Sequence, residues 1–85
     1  MFSVTQFGKP LDESKYHWNE STRTFSTNEN CLVLDFSDYH GVTFNTGSNC
    51  TFKTHYGCIF KTGSNCTFNT GCGFSFITDY GYTFN

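Results

Sequence analysis

The chain has 85 residues, a formal net charge of −2 and only 14% charged residues, while one fifth of it is aromatic and eleven residues are Phe. That balance leaves no basic footprint for a nucleic-acid partner and too little acid to imitate DNA, and the near absence of Leu and Ala beside so much Phe disfavours a helical protein. A chain of this length buries only roughly 60% of its unfolded surface in a compact core, so disulfides, a metal, oligomerisation or a repetitive hydrogen-bonded stack must add stability.

The opening "MFSVTQFGKP" has neither the basic nor the apolar region of a signal peptide, and no apolar run approaches membrane-spanning length. Five Cys is an odd number. Together these point to a soluble, thiol-reduced intracellular setting with no membrane partner. The sequons at Asn19, Asn49 and Asn65 would matter only in a secretory pathway.

In chain order, the alternating "FSVTQF" reads as a strand and Pro10 in "GKPL" as a turn. "KYHW" and "TRTFST" flank "NES" as a hairpin. Residues 1–29 are expected to form an amino-terminal β cap, with Phe2, Phe7, Trp18 and Phe25 available to cover the first coil of the repeat region. "NCLVLDFS", residues 30–37, reads as an entry strand. It offers Leu34 and Phe36 where the later rows have Cys and Phe, and Val33 where they have Gly or Asn.

From Asp38 the chain writes itself in rows of eight: DYHGVTFN, TGSNCTFK, THYGCIFK, TGSNCTFN, TGCGFSFI and TDYGYTFN. One column is Phe36, Phe44, Phe52, Phe60, Phe68, Phe76 and Phe84; eight steps of an α-helix drift by about 80° per row, so this column cannot line one helix face. Two residues earlier stand Val42, Cys50, Cys58, Cys66, Phe74 and Tyr82, which in a strand share the Phe face, while the intervening Thr points outward. The column before that is only Gly or Asn: Gly41, Asn49, Gly57, Asn65, Gly73 and Gly81, the residues that best tolerate positive φ at a bend. The reading is an all-β fold, a β-solenoid of octapeptide repeats over residues 30–85. The sixteen-residue echo of "TGSNCTF" favours two rows per coil, with Phe36, Phe52, Phe68 and Phe84 on one wall; three rows per coil is the alternative.

The stretch "TFSTNENCLVLDFSDYHGVTFNTGSNCTFKT" resembles octapeptide-repeat proteins with "TG-x-x-CTF" units, found mostly in bacteriophages, large viruses and some bacterial genomes and generally of unassigned function. More distantly the chain resembles pentapeptide-repeat proteins, in which a small residue precedes Phe or Leu by two, as Cys50 precedes Phe52 and Cys66 precedes Phe68.

No nucleophile, base and orienter stand together, and no phosphate-binding glycine motif occurs. Cys at a spacing of eight reads as small apolar filler rather than a zinc set, and His40 and His55 fall in corners. The expectation is therefore a non-enzymatic protein without cofactor or metal. Its leading role is structural or protein-binding, as a homo-oligomer that self-associates through Phe76, Tyr82 and Phe84 where "GYTFN" leaves an uncapped edge. The alternative is a small inhibitor or decoy that docks on a host protein.

Overall fold

A computed structural model describes residues 2–71, 73, 75–77 and 83–84, with only the backbone given for 75–77 and 83–84. The fold is all-β. Its strands are β1 (Ser3–Gln6), β2 (Lys9–Pro10), β3 (Tyr16–Asn19), β4 (Thr24–Thr27), β5 (Leu32–Phe36), β6 (Thr43–Asn45), β7 (Thr51–Thr54), β8 (Ile59–Lys61), β9 (Thr67–Asn69), β10 (Ser75–Ile77) and β11 (Thr83–Phe84). A 3-10 turn at Glu13–Lys15 starts where the Asp12 carboxylate accepts the Ser14 N–H at 2.9 Å.

The strands alternate between two mixed sheets. One runs β2-β1-β5-β7-β9-β11 and the other β3-β4-β6-β8-β10. From β4 and β5 onward all pairing among the described residues is parallel, and the later strands pair at a separation of sixteen: Thr43 with Ile59, Thr51 with Thr67, Ile59 with Ser75 and Thr67 with Thr83. No pairing at twenty-four occurs among the described residues. Strands consecutive in sequence therefore face one another, and strands two apart are hydrogen-bonded neighbours.

The corner columns explain how eight residues suffice for each crossing. Asn49 and Asn65 have φ of 60° and 59° and lead into β7 and β9, whereas Gly41, Gly57 and Gly73 have φ of 68°, 73° and 75° and lead into the other sheet. A Cβ at Gly41 would meet nothing within 4 Å, so it is conformation and not space that favours glycine there. At Gly47 and Gly63 the reverse holds. A Cβ would overlap Asn30 Oδ1 and Ser48 Oγ respectively, because those oxygens reach across to accept N–H groups of the next coil. The Ser48 N–H donates to Asn30 Oδ1 at 2.8 Å and the Ser64 N–H to Ser48 Oγ at 3.1 Å. The corners at Asn30 and Ser48 thus each supply an acceptor for the corner stacked next to it.

Between the sheets the phenylalanines interlock. Phe44 stacks on Phe60 and Phe52 on Phe68, both at 5.3 Å with rings 7° and 9° from parallel, while the facing pairs Phe44–Phe52 and Phe52–Phe60 meet at 5.2 Å and 69° and 66°. All of these rings, with Phe25 and Phe36, are fully buried. Val42, Cys50, Cys58 and Cys66 fill the space beside them.

The entry row differs from the sequence reading. Leu34, not Phe36, is in register with Phe52, and Phe36 lies opposite Thr54. Cys31 and not Val33 takes the corner, at φ 61°. The reason is a longer corner after β5, where the Tyr39 N–H donates to Phe36 O and the Asp35 carboxylate accepts both the hydroxyl and the N–H of Ser37. An offset of two preserves the face, so Phe36 remains buried.

Residues 1–29 also do more than lie over an end. Strand β4 pairs in parallel with β6, Phe25 opposite Phe44, and Val4, Leu11 and Phe25 belong to the same core as the repeat residues. Strands β1, β2 and β3 add antiparallel to this end. Phe2 stacks on Phe36 at 4.4 Å and packs 5.3 Å from Trp18. Phe7, by contrast, covers nothing: it is 80% exposed.

Denaturant unfolding of two kinds of variant tests this packing. Phe52→Ala removes a ring stacked on one neighbour and wedged between two others, and is expected to cost about 3–5 kcal/mol. Gly63→Ala is expected to destabilise more than Ser48→Ala, which forfeits one acceptor and costs about 1 kcal/mol, because the added methyl displaces Ser48 without restoring the bond to Ser64.

Candidate interaction surface

The two walls present different outer faces. On the first sheet Val33, Thr51 and Thr67 form one row and Asp35, Lys53 and Asn69 the next; on the second, Thr43 and Ile59 form a row beside His17, Ser26, Asn45 and Lys61. Only Val33 and Ile59 among these are exposed large hydrophobics, each 42% accessible. The faces are polar ladders, with a shallow cavity of about 310 Å³ between Lys15, Tyr16, His17, Ser26, Asn28 and Asn45.

The two ends of the stack are unlike. At one end the sheets finish in antiparallel strands, and the outermost, β2, is a two-residue Lys-Pro segment; a lysine and a residue without an N–H both blunt pairing. At the other end β10 and β11 are last in their sheets and run parallel to β8 and β9, with no described strand beyond them.

Of the residues assigned to the repeat core, Phe36, Phe44, Phe52, Phe60, Phe68, Val42, Cys50, Cys58 and Cys66 are buried. Phe76 and Phe84 lie in β10 and β11, where the backbone alone is described, and Phe74, Tyr82 and Gly81 lie outside the described residues. Two of the three candidate self-association residues, Phe76 and Phe84, thus fall on the two terminal strands.

Two exposed features carry no signal in the sequence pattern. At one set of corners the His40 ring stacks on Tyr56 at 4.9 Å and 16°, with His55 edge-on to the same ring at 4.8 Å. The sixteen-residue register brings His40 and Tyr56 together; their identities alone do not. The Tyr56 N–H donates to His55 Nδ1 at 3.0 Å, which fixes that imidazole in the corner. The second feature is the β1–β2 hairpin turn, where Phe7 and Gly8 have φ of 53° and 79°. A two-residue turn with both φ positive favours Asn-Gly, and a phenylalanine there carries both backbone strain and an exposed ring.

Among the described residues no group of three His, Cys, Asp or Glu side chains converges as a metal would require, and no helix is long and apolar enough to cross a membrane. Cys31, Cys50, Cys58 and Cys66 are free thiols. The thiol of Cys50 donates to Ser48 O at 3.5 Å, that of Cys58 to His55 O at 3.8 Å and that of Cys66 to Gly63 O at 3.6 Å. A cysteine at this column therefore fills apolar space and satisfies a corner carbonyl at once, which valine cannot do.

Comparison with protein-family models, curated proteins and solved structures returns no match. The functional reading accordingly rests on this geometry.

Phe7→Asn is expected to raise stability by about 1 kcal/mol through relief of the strained turn, measured as a higher midpoint of thermal unfolding. A lower midpoint would mean that the ring contributes packing.

Proposed function

We propose that the chain is a non-catalytic β-solenoid, two eight-residue rows to a coil, that serves as a structural or protein-binding element by associating with further copies of itself through the end formed by β10 and β11. The observation that carries this reading is the inequality of the two ends: antiparallel strands, lysine and proline blunt one, whereas the other presents parallel strands in the register that the stack already repeats. A strand edge of this kind satisfies its backbone groups by taking another strand. A copy of the same chain offers matching strand spacing, and the polar outer ladders stay wet in such an assembly. The small charge content argues against a nucleic-acid partner.

A second reading, a small inhibitor or decoy docking on a host protein, is favoured by Phe7. An aromatic ring held out of the fold on a strained turn, with Lys9 beside it, has the character of an anchor for an apolar pocket.

Light scattering combined with hydrogen exchange separates the two. Self-association predicts a mass above the monomer that grows with protein concentration, with protection appearing at the amides of β10 and β11. A strict monomer at high concentration, with exchange at those amides independent of concentration, would overturn the assembly reading and leave the docking one.

A further inference from the structure

Of the described thiols, two meet. Thr51 lies opposite Thr67, and the Thr67 N–H donates to Cys50 O at 2.9 Å, so Cys50 and Cys66 stand side by side at the starts of β7 and β9. Their sulfurs converge on one atom: each lies 3.7 Å from the Gly47 carbonyl oxygen. The interaction between the two neighbouring side chains draws the Cys66 thiol below the ordinary thiol range and, together with burial, pushes Cys50 above it. The Thr46 hydroxyl, buried and without a hydrogen-bond partner, reaches the same place beside Cys50.

The other thiols lack this arrangement. Cys58 belongs to the opposite sheet, where the preceding row holds Val42 in its place, and Cys31 stands at a corner one position before the cysteine column. The two sulfurs are buried but contact the corner carbonyls of Gly47, Ser48, Gly63 and Ser64, and all four of those small residues are partly exposed. Local opening of one corner is enough to admit a small oxidant.

We propose that Cys50 and Cys66 are a modification site, a dithiol that a hydroperoxide or a low-molecular-weight disulfide converts to a reversible cross-link between β7 and β9. Neighbouring parallel strands run about 4.8 Å apart, inside the Cα separation of roughly 4.4–6.8 Å that a disulfide spans. With hydrogen peroxide, the Cys66 thiolate attacks one peroxide oxygen and the O–O bond breaks, giving a sulfenic acid and, after proton transfer, water. The Cys50 sulfur then attacks Cys66 sulfur, the S–O bond breaks and a second water leaves. Two thiols are oxidised and one peroxide is reduced. With an oxidised glutathione the same disulfide forms by two exchanges that release two reduced glutathiones. The bridge closes a loop between two coils already in register and so restrains the unfolded chain.

The test is to expose the full reduced chain to hydrogen peroxide, and separately to oxidised glutathione, then alkylate free thiols and map the products after trypsin. Cleavage after Arg23, Lys53 and Lys61 leaves Cys31 and Cys50 on one peptide and Cys66 and Cys72 on another, and fragmentation of the joined pair assigns the bridge within it. The expected result is a loss of two mass units localised to Cys50 and Cys66, with Cys31 and Cys58 still alkylated, reversal by dithiothreitol, and a thermal midpoint higher by about 5 °C in the oxidised form. Cys58→Ser should form the bridge as the wild type does. Cys66→Ser, folded by circular dichroism, should yield no intramolecular bridge at Cys50. A bridge that involves Cys31, Cys58 or Cys72 instead, no bridge in the folded protein under either oxidant, or a bridge that lowers the midpoint would each overturn the proposal.

Discussion

The stacking of phenylalanine on phenylalanine at one-strand spacing is the contact on which the rest depends. Phe44 over Phe60 and Phe52 over Phe68 are nearly parallel, and the two columns interleave across the sheets at steep angles. A buried ring contributes about 2–3 kcal/mol by desolvation and its aromatic neighbours somewhat more. A short strand of three or four residues has few backbone bonds of its own. Its position is secured because its single inward ring fits between the ring below and two rings opposite.

That packing demands a fixed rise per row, and the corners supply it. Positive φ at Asn49 and Asn65 on one side and at Gly41, Gly57 and Gly73 on the other turns the chain within two or three residues. The passage of an acceptor from Asn30 to Ser48 N–H and from Ser48 to Ser64 N–H then ties each corner to the next. The close approach this needs leaves no room for a side chain at Gly47 or Gly63. Rings inside and hydroxyls at the corners thus impose the same register, and that agreement lets eight residues carry a whole row.

The same register places the chemistry. It brings His40 onto Tyr56, a pair with no special relation in sequence beyond a separation of sixteen, and Cys50 against Cys66, the same position of the echoed "TGSNCTF". It also makes the ends of the stack unlike, since among the described residues the antiparallel strands, all from the first thirty residues and β5, join at one end only. Functional possibilities therefore lie at edges, corners and turns. The walls themselves are uniform polar ladders around a filled interior.

From the sequence alone, the eight-residue period, the inward Phe and Cys columns and the bends at Gly or Asn were legible, because strand side chains alternate strictly and few residues accept positive φ. Three things were decided only by the tertiary structure. The offset of Phe36 from Phe52 arises from a corner two residues longer, which leaves inward and outward positions unchanged and so is invisible to pattern. Phe25 joins the Phe44 column through a parallel pairing whose nineteen-residue separation matches no repeat. Phe7 looks like any other aromatic until the turn that holds it at positive φ and in solvent is known. Period and face are local properties of the chain; register, pairing partner and exposure belong to segments distant in sequence, and only their packing together fixes them.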